Sequence, residues 1–493
     1  MRFIDQEQEL KRELPKVFGN ADYREYAGQL DQIDELLVRS GIETHFVETR
    51  LAAWEQTGDR LGTKARLRYQ TMCIQALRVG IARQLTEREY RKFAMRLAES
   101  FVLQRFCQVG GIEGVKIPSK STLERYDKLA PESEIRELVS VLLRMAGGVD
   151  HAGLGLDADA GVDVLLVDST CLKANIHFPT DWVLLRDGVR TLMKAVSLIR
   201  RHGLKHRMEE PETFLREINR LCIEMTQGRR AADSVKRRKR VLRRMKRLVK
   251  VVRNHAQRYV SLLKADWMQT DLTEAQARQV WRRMDGILTQ LPEAVRQAHE
   301  RLIGRRLVPN EEKLLSLYEP DVRVIVRGKA GANVEFGNTL YVGEQQNGLI
   351  VDWKLLREQS RGDSPLLEES LDRIHADFQR YPSAVGADRG FDRPATRRKL
   401  RKHGIMNGIC PRSVPVLQDR MQDEGFADIQ RRRAQTEGRI GILKNNFLGP
   451  VLRNKGFESR EREVAWAVLA HNLWVLARML RAQEKDRQKR KAA

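Results

Sequence analysis

Hydrophobic positions change their period twice along the chain. Up to about residue 150 they recur with helical spacing. The run LTEREYRKFAMRLAESFVLQRFCQVGG is amphipathic, with Thr86 as its cap, Glu87 beside it and a stop at Gly110-Gly111. IPSKSTLERYDKLA then opens a short helix on the hydroxyls of Ser119 to Thr122. Two helices joined by a glycine-containing turn suit a helix-turn-helix, and an ordinary helical bundle equally well. The glycine-rich GGVDHAGLGLDADAG reads as a linker.

The linker leads into GVDVLLVDSTCLKANIHFPTD. Its run Val164 to Val167 reads as a strand buried on both faces, ending on Asp168. From Asp181 to about Leu317 apolar residues fall alternately three and four apart, as in Trp182, Leu185, Val189, Leu192, Val196 and Ile199. That spacing predicts long antiparallel helices packed like a coiled coil, with Pro292 expected to kink the last one. Asp181 is expected to cap the helix beginning at Trp182.

After Pro320 the period becomes two. VRVIVRG, NVEFGNTLYVGE and GLIVDWKLL read as strands, the last two joined by the turn EQQNG. A helix with Ser364 as cap, a strand SAVGADRG, a helix RPATRRKLRKH, a strand GIMNGIC and two closing helices follow. The order implies an α+β or α/β layer architecture interrupted by a long helical insertion. The expected domains are a helical, DNA-binding 1–150, a core of 160–181 with 320–482, an insertion of 182–319, and a disordered basic tail of 483–493.

Charge adds a partner. Ninety Lys and Arg against 66 Asp and Glu leave a net charge of +24, which predicts a polyanion, nucleic acid before membrane. Fourteen of the thirty residues from Arg229 to Arg258 are basic and only Asp233 is acidic. With i+4 acids nearly absent, a phosphate backbone would supply the missing negative charge. The candidate contacts there are Arg237, Arg238, Lys239, Arg240, Arg243, Arg244, Lys246 and Arg247. Five scattered cysteines imply neither a disulfide framework nor a zinc site, and a reducing cytosol is the expected compartment. The acids in MRFIDQEQELKREL argue against a signal peptide, and no long apolar run predicts a membrane span.

A carboxylate ending a buried strand either caps a turn or ligates something cationic. AVGADRGFD repeats the opening motif, with Asp388 between Gly386 and Gly390, glycines that permit close approach. Two strands of one sheet can set both aspartates at one end, where a divalent cation resolves their repulsion. A third carboxylate from a neighbouring helix would complete a two-metal site for phosphodiester chemistry, and oxygen ligands imply Mg²⁺ or Mn²⁺. Glu437 is the only acid from Gln430 to Arg453 and shares a helix face with Arg433 and Lys444.

At these residues the chain resembles a bacterial insertion-sequence transposase of the DDE class. One branch carries its last acid in the helix motif Tyr-x2-Arg-x3-Glu-x6-Lys. Here Gln430, Arg433, Glu437 and Lys444 hold those spacings, with Gln430 in place of the Tyr. VDST with ANIHFPTD resembles the first-aspartate region, and GADRGFD the second. The resemblance implies an RNase H-like core in which Asp168, Asp388 and Glu437 hold two Mg²⁺ ions. It further implies cleavage at transposon ends, joining of the 3′-hydroxyl to target DNA, phosphate contacts from Arg433 and Lys444, and a dimer on double-stranded DNA. The setting would be a bacterial cytoplasm, at the nucleoid. The long insertion lies between the two aspartates, 220 residues apart, whereas 49 separate Asp388 from Glu437. Better-studied relatives carry theirs after the second aspartate, so no role transfers to it.

Three rivals stand beside that reading. A tyrosine recombinase needs a nucleophilic Tyr near its C-terminal Arg and His groups, and the last Tyr is Tyr381. A domesticated transposase would bind DNA without cutting it. A nuclease on the same fold would cut without joining.

Overall fold

The computed structural model describes residues 17–56, 62–111, 114–227, 233–329, 332–358 and 362–492. The MRFIDQEQELKREL stretch, Arg229 at the start of the basic segment and Ala493 lie outside the described residues.

Among the described residues seven helices come first: α1 (Ala21–Arg39), α2 (Ile42–Glu55), α3 (Thr63–Leu85), α4 (Tyr90–Glu99), α5 (Phe101–Phe106), α6 (Lys120–Asp127) and α7 (Glu132–Ala146). Thr86 does not open a helix. Its hydroxyl donates to the Ala82 carbonyl at 2.7 Å and closes α3. Ser119 does open α6, accepting from the Thr122 amide. The glycine-rich segment is packed rather than loose. Val149–Leu154 forms a short 3₁₀ turn whose Leu154 is buried, and the Ala160 amide donates to the Ala146 carbonyl at 2.9 Å.

A six-stranded mixed sheet forms the centre. Its strands are β1 (Val164–Lys173), β2 (Arg323–Lys329), β3 (Ala332–Gln345), β4 (Ile350–Leu355), β5 (Ala384–Ala387) and β6 (Met406–Ile409). The order is β2-β3-β1-β5-β6, and β4 pairs with the part of β3 that β2 leaves open. β1 is antiparallel to β3 and parallel to β5, and β6 is parallel to β5. β1 does not stop at Asp168 but continues to Lys173. The long β3 supplies a partner all the way, from Val342 opposite Asp168 to Gly337 opposite Lys173.

A helical block leaves β1 and returns to β2 as α8 (Asp181–Arg201), α9 (Pro211–Gln227), α10 (Ser234–Asp266) and α11 (Glu274–His299). It has its own core, built from positions such as Leu185, Val189, Met245, Val252, Tyr259 and Leu291. α11 runs unbroken through Pro292, then passes into a wider π turn at Glu300–Gly304. Asp181 is no cap, because Thr180 occupies that position. The buried Asp181 carboxylate instead accepts from Arg301 Nη1 at 2.9 and 3.0 Å and from Gln297 at 2.9 Å. That contact clamps the first residue of α8 to the turn that follows α11.

After the strands come α12 (Ser364–Phe378), α13 (Pro394–Lys402), α14 (Val414–Arg420, which the period does not announce), α15 (Glu424–Ile442) and α16 (Phe457–Ala492). The expected disordered tail is helical as far as Ala492. Contacts of Arg481 with Glu25, Glu484 with Gln32 and Arg487 with Asp157 hold it against earlier elements. The helices before residue 150 share one continuous core with the sheet and α16. Gly80 on α3 shows how close the join is: a Cβ there would lie 2.8 Å from the Trp466 ring.

Candidate active site

The register of the central strands aligns the two aspartates. Leu166 pairs with Gly386 across parallel β1 and β5, so two residues further Asp168 stands level with Asp388, one residue beyond β5. Adjacent strands lie about 4.8 Å apart, which makes the two backbones near neighbours. Pleating sets Asp168 on the sheet face shared by Leu166 and Thr170. Both aspartates are half-buried. Asp168 accepts from the Ser169 amide at 2.7 Å, and Asp388 from the Gly390 amide at 2.8 Å.

Glycines bring α15 onto this face. A Cβ on Gly386 would lie 2.6 Å from the Ile429 Cγ2, and one on Gly408 would lie 2.5 Å from it. Ile429 seats in the groove they leave and packs with Leu166 and Ala384. Gln430 donates to the Gly408 carbonyl at 2.5 Å. Two turns past Glu437, Lys444 donates to Thr170 Oγ1 at 3.1 Å and to the Cys171 carbonyl at 2.9 Å. Gln430, Glu437 and Lys444 are seven residues apart and form one stripe, so the stripe spans from β6 to β1 with Glu437 between. Arg433 turns toward Gln430, whose Oε1 accepts from it at 3.3 Å. Gly386→Ala should push α15 off the sheet and cost about 1–3 kcal/mol, as overpacking does; a urea titration measures it.

Glu437 itself is exposed. Among the described residues, no three His, Cys, Asp or Glu side chains converge closely enough to hold a metal ion. The structure thus brings Asp168 and Asp388 to one level and lays the helix of Glu437 over the same face, without drawing the third carboxylate in.

A carboxylate that the sequence reading passed over stands nearer. Asp363 sits at the N-cap position of α12, just before Ser364, which is the helix's first residue rather than its cap. It accepts from the Ser169 hydroxyl at 3.2 Å. Asp363 Oδ2 and Asp388 Oδ1 lie 3.0 and 2.9 Å from where a Cβ on Gly390 would be, so both acids crowd this glycine. Burial raises the Asp363 pKa, and the Asp388 charge adds to that, against the Ser169 hydrogen bond and the Arg393 charge. Like-charged oxygens crowded into a half-buried corner fit a hard divalent cation. The only sequence signal for Asp363 was an acid immediately ahead of a Ser-Pro helix start.

A second overlooked acid lies beneath α15. Glu344 on β3 is buried opposite Leu166, and burial pushes its pKa up to about 7 despite the opposing pull of Arg439 and Thr436. Arg439 Nη1 lies 3.9 Å from it and donates to the Gln346 carbonyl at 3.0 Å. A folded-state acid with a raised pKa holds its proton longer than the unfolded chain does. Stability therefore falls as pH rises from about 4.5 towards 7. Glu344→Gln should stabilise the protein at pH 8 by up to about 3 kcal/mol and change little at pH 4. Urea midpoints across pH check this.

The basic helix α10 divides its cations. Arg244 pairs with Glu217 at 3.0 Å and Glu224 at 3.4 Å, and Arg237 approaches Glu224 at 4.0 Å. Arg238 lies over the Trp182 ring at 5.0 Å, and Lys246 meets His299 at 3.1 Å. α9 thus supplies acids that the i+4 pattern within α10 lacked. Lys239 is half-buried, while Arg240, Arg243 and Arg247 face solvent on one stripe with Lys236 and Lys250.

Residues 342–473 match the family described as a transposase DDE domain. The matched segment holds Asp388, Glu437 and α15, and begins beyond Asp168 and the insertion. No curated protein and no solved structure matches the chain. With the mixed sheet and the paired aspartates, the match supports a transposase of the DDE class, whose catalytic core is RNase H-like. Among the described residues no helix is long and apolar enough to cross a membrane.

Proposed function

We propose that this protein binds the ends of a mobile DNA element, cuts the DNA by metal-dependent hydrolysis and joins the freed 3′-hydroxyl to target DNA. One observation carries the reading. Asp168 and Asp388 stand level on adjacent parallel strands, under the helix that bears Glu437, in a chain whose residues 342–473 match a transposase domain.

Asp168, Asp388 and Glu437 are the residues to hold two Mg²⁺ or Mn²⁺ ions, since carboxylate oxygens suit hard cations. Such ions, when bound, activate water and neutralise charge on an in-line phosphoryl transfer. Asp168 contributes from within β1 and Asp388 from the residue just after β5, each with its carboxylate held by a backbone amide. Lys444 and Arg433 hold the phosphates next to the scissile bond, the first as a point charge and the second as a fork. Lys444 reaches a phosphate by exchanging its bonds to Thr170 and the Cys171 carbonyl. Two ends must be joined together, which calls for a homodimer on double-stranded DNA at the bacterial nucleoid.

The exposed Glu437 favours one rival, a DNA-binding protein that does not cut. A strand-cleavage and joining assay on DNA carrying the element's ends, with Mg²⁺ and with EDTA, separates the two. Metal-dependent cutting followed by joining establishes a transposase. Cutting alone leaves a nuclease, and binding without cutting leaves the rival.

A further inference from the structure

A cleft of about 950 Å³ opens between the N-terminal helices and the segment that joins α15 to α16. The turn after α3, the start of α4 and α6 form one wall, and Leu448 to Lys455 with the start of α16 form the other. Four of its five acids are paired with cations, and the fifth, Glu87, accepts from the Glu89 amide at 3.1 Å. Asp127 and Glu463 pair with Arg83 at 3.0 and 2.7 Å, Glu89 with Lys92 at 3.2 Å and Arg453 at 3.6 Å, and Glu124 with Lys120 at 2.8 Å. Arg88, Arg91, Lys128 and Lys455 also line the cleft, and among the described residues none has a carboxylate within ion-pair distance. Arg91, Lys128 and Lys455 are exposed.

Arg88 supplies a second, independent sign. Its Nη1 is buried and has no hydrogen-bond partner. A buried donor left unmatched is costly, and a side-chain shift that brings it to an anionic oxygen in the cleft removes that cost. The backbone makes room for this guanidinium. Gly449 adopts a φ of +80°, and a Cβ there would lie 2.7 Å from Arg88 Nη2.

The cleft also stands in register with the candidate active site. Leu452 extends the end of β1: its amide donates to the Lys173 carbonyl at 2.8 Å, and its carbonyl accepts from Asn175 at 3.2 Å. Ala174 follows Asp168 along an extended chain, so this wall lies roughly 20 Å from the aspartate, at about 3.3 Å per residue. B-DNA covers that distance in about six base pairs, at 3.4 Å per step.

We propose that this cleft seats the phosphodiester backbone of the same duplex about six nucleotides from the scissile bond, with Arg88, Arg91 and Lys455 as its phosphate ligands. The inference rests on the transposase reading and names the path of the DNA through it. The contacts carry no base sequence; they set the register in which a phosphate reaches the carboxylates.

The test is fluorescence anisotropy with a labelled 40-base-pair duplex across a NaCl series. It compares wild type with Arg88→Gln/Arg91→Gln/Lys455→Gln and with an equal-charge control, Lys485→Gln/Lys489→Gln/Arg490→Gln. The cleft variant should bind about 10- to 100-fold more weakly and lose about 3 from the salt slope, while the control stays within about twofold. Should Arg88→Gln lower the melting temperature, the exposed pair Arg91→Gln/Lys455→Gln carries the test, with a slope loss of about 2. Equal affinities and slopes for cleft variant and control would overturn this proposal while leaving DNA binding by the wild type intact. A wild type that binds no duplex at any salt would overturn the transposase reading as well.

Discussion

Asp388→Asn should abolish strand cleavage while leaving the fold and DNA affinity in place. The Asp388 Oδ1 accepts from the Gly390 amide at 2.8 Å, a bond that the amide oxygen of Asn reproduces. What disappears is the negative charge. A divalent ion contributes several kcal/mol of transition-state stabilisation, and each 1.4 kcal/mol is tenfold in rate, so the loss should be about 10³-fold or more. Glu437→Gln should match it, with joining lost in step, because one site serves both reactions. Asp363→Asn provides the contrast. If Asp363 only shapes the corner through Ser169, its loss costs about 10- to 100-fold, as outer-shell groups do. Full loss in Asp363→Asn together with full activity in Glu437→Gln would move the third ligand from the helix to the α12 N-terminus. Single-turnover cleavage rates at saturating DNA separate these outcomes.

The largest stability effect should come from Glu463→Ala, at about 3–5 kcal/mol. Arg83 and Glu463 are both buried, and Arg83 donates to Glu463 at 2.7 and 3.2 Å and to Asp127 at 3.0 Å. Burial alone would raise the Glu463 pKa, but Arg83, Gln84 and Asn454 pull it below its ordinary value, so the carboxylate is charged. Removing it leaves the Arg83 guanidinium buried with half its compensation. The urea midpoint, followed by fluorescence of the buried Trp466 beside Gly80, should fall accordingly. The triple variant Arg83→Met/Asp127→Asn/Glu463→Leu, which also neutralises the second buried partner of Arg83, should recover at least half the loss, because the cost lies in the unmatched charge rather than in missing contacts. Failure to recover would assign the cost to packing at this junction.

Strands and helices were legible wherever one period dominated. The 3-4 spacing in α8 to α11 marks positions that are buried in a core of those helices' own, and the alternation after Pro320 marks β2, β3 and β4. Local rules failed where a distant element set the boundary. The apolar run before Asp168 looked like a whole strand because β3, over 150 residues away, was needed to carry pairing on to Lys173. Asp181 looked like a cap until Arg301 and Gln297 came back to meet it. The polar end of α16 looked frayed because its partners Glu25, Gln32 and Asp157 lie far away in sequence.

The sequence by itself determined the chemistry on offer: two aspartates following apolar runs, a lone glutamate on a basic helix, and an excess of cations suited to DNA. Residue type and spacing are local properties, and short-range patterns report them. Only the tertiary structure decided how those groups meet. It set Asp168 level with Asp388 through strand register and added Asp363 from a separate helix. It also spent Arg244 on Glu217 and Glu224, while leaving Arg88 with a buried donor unmatched. Each of these depends on which distant segments share a surface. Chain topology and packing fix that, and no periodicity along the sequence encodes it.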